Sequence, residues 1–105
     1  MDITTEMQAA VLDVLHSVID PEVGINIVDL GLVYGIDLEG DDVRIRMTLT
    51  TPGCPLHDTI TEAVDTSIPY FLPYIENVSV DLVWEPRWSP AMICRRGQRA
   101  LGWLP

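Results

Sequence analysis

Residues 32–50 contain two runs in which side chains alternate between two faces, separated by the turn sequence EGDD at 39–42. A period of two residues is typical of a strand with one buried face. The first run places Leu32, Tyr34, Ile36 and Leu38 on one face, and the second places Val43, Ile45, Met47 and Leu49 there. The pattern predicts an antiparallel hairpin with one buried and one solvated face. Arg44 and Arg46 are expected on the solvated face, near the acids Asp37 and Glu39.

Two further segments have the periodicity of amphipathic helices. The first covers residues 5–19 and is expected to close at Asp20-Pro21, because the residue before proline avoids the α region. The second is expected to start at or just after Cys54. Pro69 and Pro73 are expected to end or kink it by residue 72.

Strand alternation returns at residues 78–84, and residues 91–103 indicate a short last helix. The resulting order is helix, strand, strand, helix, strand. It predicts an α+β domain of two layers, in which a small antiparallel sheet of about three strands carries two helices on its apolar face. A chain of 105 residues is expected to form one domain, residues 1–105.

The charge of the chain is strongly acidic and unevenly distributed. The formal net charge is −10, all basic residues are arginines, and four of the six lie in residues 86–105, which contain no acid. An acidic body disfavours binding to nucleic acid or to an anionic membrane, because both are bound through cationic side chains. The basic tail is expected to dock on the acidic body of its own chain, in preference to an acidic partner. Without a signal-like or membrane-spanning segment, a soluble cytoplasmic protein is expected.

Cys54 lies in the turn TTPGCP, ahead of the second helix. With Pro55 as first helical residue, Cys54 would be the N-cap, where unpaired N–H groups and the helix dipole favour the thiolate over the thiol. Gly53 allows close approach of a ligand, and the hydroxyls of Thr50 and Thr51 are suited to hydrogen-bond a sulfide or an oxyanion. Ordinary turn chemistry explains the same residues without any function.

Other polar side chains leave more than one interpretation open. The carboxylates of Asp20, Glu22 and Asp29 share one loop, where they would either bind metal or polarise a site, or cap turns. His57 is half of a Cys–His metal site shared in a dimer, a surface histidine, or the base of a Cys–His catalytic pair. Cys94, within the Arg-rich tail, is expected to be a half-buried helix cysteine without a role. Neither cysteine is part of a CxxC pair.

Three segments together resemble the SufT/PaaD-like family of iron–sulfur cluster assembly proteins. They are IDPEVGINIVDLGLVYGI at 19–36, MTLTTPGCPL at 47–56 and VWEPRWSPAMI at 83–93. The resemblance covers about residues 6–102 and implies a compact α+β domain that acts in the maturation of iron–sulfur proteins. The family's motif positions fall on Asp20, Pro21, Glu22, Asp29 to Leu32, Thr50, Thr51, Cys54, Trp84, Pro86, Trp88, Ser89 and Pro90.

The resemblance implies that the partners are iron–sulfur scaffold or client proteins and that the chain is not an enzyme. One thiolate cannot hold a cluster, because [2Fe–2S] and [4Fe–4S] clusters need four ligands. A transient cluster would therefore be shared between chains, with Cys54 as the metal ligand from this one. The alternatives are an adaptor without metal and a thiol enzyme with Cys54 as nucleophile. Exposed sheet edges would also permit a homodimer.

Overall fold

A computed structural model describes the backbone of residues 3–50 and 57–102 and the side chains of residues 6–50 and 59–102. Three helices and five strands follow one another in these ranges, with a short 3-10 helix before the last helix. In chain order they are α1 (Ile3–Leu15), β1 (Ile19–Asp20), β2 (Ile25–Asn26), β3 (Val33–Glu39), β4 (Asp42–Met47), α2 (His57–Phe71), β5 (Asn77–Leu82), the 3-10 helix (Pro90–Met92) and α3 (Arg95–Ala100).

The predicted hairpin is confirmed as β3 and β4. The two strands pair antiparallel, and the turn closes between Glu39 and Asp42. Gly40 has a φ of +62° in this turn, in the left-handed region that glycine adopts without steric cost. The predicted buried face of β4 is also confirmed, since Ile45 and Met47 are completely buried.

The sheet is mixed, so the prediction of a wholly antiparallel sheet was wrong in one pairing. β5 lies beside β4 and runs parallel to it, with Asp42 opposite Asn77 and Met47 opposite Leu82. The reason is the length of the connection. α2 has 15 residues and spans about 22 Å, slightly more than the roughly 20 Å of the six-residue β4, so it returns the chain to the start of β4. Parallel neighbours require such a crossover.

α1 ends earlier than predicted, at Leu15 instead of residue 19. The Ser17 hydroxyl donates a 2.6 Å hydrogen bond to the carbonyl oxygen of Val14 just beyond the helix end. The following residues form β1, which pairs antiparallel with β2 in a separate two-stranded sheet. This ladder uses backbone groups that a longer helix would have needed, and it lies in a segment that the sequence pattern presented as a loop.

A β-bulge between Val33 and Gly35 changes the predicted face of β3. Val33 lies opposite Met47 and packs against the core, as do Ile36 and Leu38 farther along the strand. Tyr34 therefore leaves the predicted apolar face, because a bulge inserts one extra residue into one strand. Its phenol donates a 2.7 Å hydrogen bond to the carbonyl oxygen of Pro86.

The core lies between the sheet and the two long helices, as the two-layer prediction required. α1 packs on β3 and α2 on β5, and the helices contact each other. The predicted stripe of α2 is buried at Ile60, Val64 and Ile68. Further completely buried side chains are Val11, Leu15, Ile27, Leu30, Leu32, Ile45 and Met47. No helix in the described ranges has the length and apolar character needed to cross a membrane.

Candidate functional site

The parallel pairing of β4 and β5 brings two chain segments to one end of the sheet. The N–H of Val83 donates a 2.8 Å hydrogen bond to the carbonyl oxygen of Met47, which continues the pairing beyond β5. Past this point the two segments separate and enclose an open cavity of about 280 Å³. We call it the strand-end cavity; its lining residues are Thr48, Leu49, Thr50, Trp84, Glu85, Arg87 and Trp88.

Thr48 lines this cavity and has a buried side-chain hydroxyl. Thr48 is only 1% exposed, and its backbone N–H donates a 2.8 Å hydrogen bond to the carbonyl oxygen of Leu32. The Oγ1 atom has no hydrogen-bond partner in the described part of the chain. An unpaired buried hydroxyl costs about 1–3 kcal/mol, so this atom is a candidate to bind whatever enters the cavity.

Two tryptophans and two residues of opposite charge also line the cavity. Trp84 is 41% exposed at the mouth of the cavity. Trp88 is half-buried, and its indole N–H donates a 2.7 Å hydrogen bond to the carbonyl oxygen of Leu30. Glu85 and Arg87 are exposed. Aromatic faces beside a few polar groups are typical of surfaces that bind a ligand or a protein partner.

The structure places Thr50 at this cavity, half-buried. Thr51, Gly53 and Cys54 lie outside the described residues, and so does the predicted N-cap. α2 is described from His57 onward. The Trp84 to Trp88 segment lines the cavity although sequence periodicity gave it no role; only the motif resemblance pointed to it.

Asp20 and Glu22 lie apart from the cavity lining. Asp20 is 3% exposed, and its Oδ1 accepts a 2.8 Å hydrogen bond from the N–H of Glu22. The carbonyl oxygen of Asp20 accepts a 2.7 Å bond from the N–H of Gly24. Asp20 therefore caps the turn of the D-P-E segment. This agrees with the interpretation in which these carboxylates cap turns. Glu22 is exposed on that turn.

Asp29 is the most highly connected carboxylate in the described structure. It is 6% exposed, and the Arg96 guanidinium binds both of its oxygens, with Nε at 2.7 Å from Oδ2 and Nη2 at 2.9 Å from Oδ1. Asn26 donates to Oδ2 at 3.0 Å and accepts from the Asp29 N–H at 2.9 Å. The hydrogen bonds from Arg96, foremost, and from Asn26 hold the pKa of the Asp29 carboxyl below its ordinary value, although burial opposes the shift.

These contacts attach the C-terminal tail to the loop between β2 and β3. The Cys94 N–H donates a 2.9 Å hydrogen bond to the carbonyl oxygen of Asp29, and Trp88 and Arg96 also donate hydrogen bonds to this loop. The expectation that the basic tail docks on its own acidic body is confirmed. We call Asn26, Asp29 and Arg96 the tail latch.

Cys94 and His16 lie beside the tail latch. The half-buried helix position predicted for Cys94 was wrong, because Cys94 is exposed and precedes α3 as its N-cap residue. His16 is half-buried and has its Nε2 3.8 Å from Asp29 Oδ1. Within the described side chains, no three His, Cys, Asp or Glu are arranged to hold a metal ion.

The solvated face of the sheet carries ion pairs. Arg46 Nε lies 3.0 Å from Asp37 Oδ2, as the hairpin pattern predicted. Arg44 instead binds Asp81 on β5, with its Nε 2.6 Å from Asp81 Oδ2, because the parallel strand lies on that side. Such exposed pairs are worth about 0.2–1 kcal/mol each, so these arginines need no functional role.

A family model described as iron–sulfur cluster assembly protein matches residues 8–82. The Fe-S protein maturation auxiliary factor YitW of Bacillus subtilis is 40% identical over 93 residues, which are 88% of this chain and 90% of that protein. The corresponding factor SufT of Staphylococcus aureus is 43% identical over 86 residues, 81% of this chain and 97% of that protein.

The fold has a close counterpart among solved structures. A crystal structure of a domain of unknown function, DUF59, from Bacillus anthracis superposes with a TM-score of 0.89 at 35% identity, and the match covers 93% of each chain. The overall fold of this chain thus matches one already observed in a solved structure. On the matched family model and these relatives, the chain is a member of the iron–sulfur cluster assembly protein family.

Proposed function

We propose that this protein is an accessory factor that assembles iron–sulfur clusters or transfers them to client proteins, with Cys54 as the thiolate that faces the cluster or the partner. The observation that carries the proposal is the strand-end cavity, whose lining includes Thr50, the first residue of the TTPGCP segment. Cys54 follows Thr50 by four residues, and four residues span at most about 14 Å. The names of YitW and SufT as Fe-S protein maturation auxiliary factors support the same role.

The chemistry of a shared cluster fits one cysteine per chain. The cluster is cargo, and it needs ligands beyond Cys54, which a scaffold, a client or a second copy of this chain would supply. The hydroxyls of Thr48, Thr50 and Thr51 would donate hydrogen bonds to cluster sulfides, which stabilises the negative charge of a thiolate-bound cluster. A cluster site divided between two chains is lost when the chains separate. A transfer factor must release its cluster, so such a site suits this role.

The first prediction concerns the two cysteines. Cys54→Ala is expected to abolish cluster uptake during anaerobic reconstitution with iron and sulfide, followed by visible absorbance. Cys94→Ala is the matched control and is expected to take up cluster as the wild type does, because the Cys94 thiol is not part of the proposed site. Equal uptake by wild type and Cys54→Ala would contradict the ligand role.

A protein-interaction adaptor without metal is the second candidate, and the two exposed charges and two tryptophans at the cavity favour it. Under this alternative Cys54→Ser preserves maturation of clients in cells, whereas Arg87→Glu abolishes it. Complementation with both variants distinguishes the two candidates, since a cluster ligand cannot be replaced by serine without loss of the Fe–S bond.

The second prediction separates a functional from a structural role of Thr48. Thr48→Val keeps the shape of the side chain and removes a buried hydroxyl without a described partner, so the free energy of unfolding should stay equal or rise by up to about 1 kcal/mol. Cluster uptake or transfer should fall, because a donor at the cavity is lost. Urea unfolding and reconstitution measure the two effects separately.

Thr66→Val provides the control for this experiment. The Thr66 hydroxyl donates a 2.8 Å hydrogen bond to the carbonyl oxygen of Glu62 on the exposed face of α2. Its removal is expected to leave cluster uptake unchanged. A large loss of stability in Thr48→Val would show that the hydroxyl serves the fold instead of the cavity.

A further inference from the structure

Three large aromatic side chains are exposed together at the C-terminal end of α2. Tyr70 is 76% exposed, Phe71 56% and Tyr74 51%. The rings of Tyr70 and Phe71 pack edge to face, with centroids 4.9 Å apart and planes at 87°. We call these three residues the aromatic patch. Clustered exposed aromatic side chains mark surfaces that bind other proteins.

Phe71 continues the buried stripe of α2 beyond the edge of the core. Val64 and Ile68 are completely buried, and Phe71 follows them at helical spacing on the same face. Its exposure therefore does not come from a position on the solvated face of the helix. The apolar stripe of α2 therefore extends past the hydrophobic core, and its last residue, Phe71, is left exposed.

A second cavity, of about 240 Å³, opens beside Phe71. It is lined by Phe71 and by Asp13, Val14 and Ser17 near the end of α1. We call it the helix-end cavity. An apolar side chain from another molecule would contact Phe71 and Val14 there, and a cationic side chain beside it could pair with the carboxylate of Asp13. None of these residues lines the strand-end cavity.

The patch is held on a rigid support. Ile68 and Ile75 are both buried and anchor the chain on either side of it. The N–H of Leu72 donates to the carbonyl oxygen of Ile68 at 2.8 Å, and the N–H of Ile75 donates to that of Leu72 at 3.0 Å. Pro69 and Pro73 further restrict the backbone. Binding would thus cost little ordering entropy, which favours a specific partner.

The charge around the patch has one sign. α1 contains no lysine or arginine, and neither does the whole of residues 47–86. Among the described side chains of the two long helices and the turn after α2, the exposed charged ones are Glu6, Asp13, Glu62, Asp65 and Glu76. An anionic lipid surface would be repelled, and a cationic protein surface would be attracted.

We propose that the aromatic patch and the helix-end cavity form a docking surface for a cationic amphipathic segment of a partner protein. An apolar side chain of that segment enters the helix-end cavity against Phe71, and its lysines or arginines lie against Asp13 and the acids of α2. This surface shares no residue with the strand-end cavity, so a partner held here would leave that cavity free.

The test uses a labelled synthetic peptide of leucine, lysine and alanine with leucines at helical spacing, measured by fluorescence anisotropy. Wild type is expected to bind it about tenfold more tightly than a scrambled peptide of the same composition, or about 1.4 kcal/mol. Phe71→Ala and Tyr74→Ala are expected to weaken binding of the patterned peptide by about the same factor, and Asp13→Asn to reduce its salt dependence. Tyr34→Phe is the aromatic control and should bind as the wild type does, because Tyr34 lies on β3 and lines neither the strand-end cavity nor the helix-end cavity.

Several outcomes would overturn the proposal. If the scrambled peptide binds as tightly as the patterned peptide, binding depends on charge alone and not on the apolar face. If a patterned peptide with glutamate in place of lysine binds as tightly as the original, charge complementarity plays no part. If the protein self-associates in sedimentation and Phe71→Ala prevents this, the occupant of the surface is a second copy of the chain. If it binds phosphatidylserine vesicles and Phe71→Ala prevents this, the surface binds a membrane instead of a protein. Cluster uptake should be normal in Phe71→Ala, so this proposal and the proposed function fail independently.

Discussion

Gly31→Ala is expected to lower the free energy of unfolding by about 2–5 kcal/mol. Gly31 has a φ of +78°, where a side chain costs about 1–2 kcal/mol. An added Cβ would also overlap the carbonyl oxygen of Met92, a backbone atom that cannot rotate away. Relief of that overlap adds about 1–3 kcal/mol and requires the tail to move away from the loop.

Gly24→Ala is the matched control for this prediction. Gly24 has nearly the same φ, +79°, but nothing lies within 4 Å of the position that a Cβ would take. Its alanine variant should therefore show only the conformational cost, about 1–2 kcal/mol. Urea unfolding of both variants isolates the contribution of the contact between Gly31 and the tail.

Trypsin provides a second measurement of the same effect, because the chain has no lysine and four of its six arginines lie in the tail. Under native conditions, Gly31→Ala should be cleaved after Arg95 and Arg99 faster than Gly24→Ala. Equal losses of stability and equal cleavage rates in the two variants would contradict the close docking of the tail on this loop.

Asp29→Asn is expected to make the protein less stable at neutral pH and less sensitive to acid. Arg96 holds the pKa of the Asp29 carboxyl below its ordinary value of 3.8 in the folded protein. A lowered folded-state pKa contributes stability that is complete above about pH 5, and that is lost as the pH falls through the folded-state pKa. The variant should lose about 1–2 kcal/mol at neutral pH, where the buried Asp29 position no longer carries a charge.

Thermal unfolding at pH 7 and pH 3 measures this effect as the change in Tm between the two pH values. That change should be smaller in Asp29→Asn than in wild type. Asp37→Asn is the control, because the pair between Asp37 and Arg46 is about half exposed at both ends and contributes little. The same change in Tm for wild type and Asp29→Asn would exclude the tail latch as a source of acid sensitivity.

Local periodicity predicted the elements of this fold well. The alternation of β4 and the apolar stripe of α2 each follow from residues near one another in sequence, and both are observed. Two errors came from information that local patterns lack. The direction of β5 depends on where α2 returns the chain, and the end of α1 depends on pairing between β1 and β2.

The candidate site was predictable only in part. Thr50 was expected at a site because it lies in the TTPGCP segment, and the structure places it in the strand-end cavity. The link between Trp88 and Leu30 and the link between Arg96 and Asp29 both join positions far apart in the chain, so no spacing rule indicates them. For the basic tail, charge predicted docking on the acidic body of the same chain, but neither Arg96 nor its partner Asp29.

The parallel arrangement of β4 and β5 has a consequence for how this domain can diversify. Both segments that border the strand-end cavity emerge beyond the last paired residues of the sheet, Met47 and Leu82. Changes at the exposed positions of either segment can therefore be accepted without rebuilding the hydrophobic interior. We expect the motif positions Thr50, Trp84 and Trp88 at this end of the sheet to stay the same within the family and the exposed charges at Glu85 and Arg87 to vary, which would let one framework serve recipients of different shape.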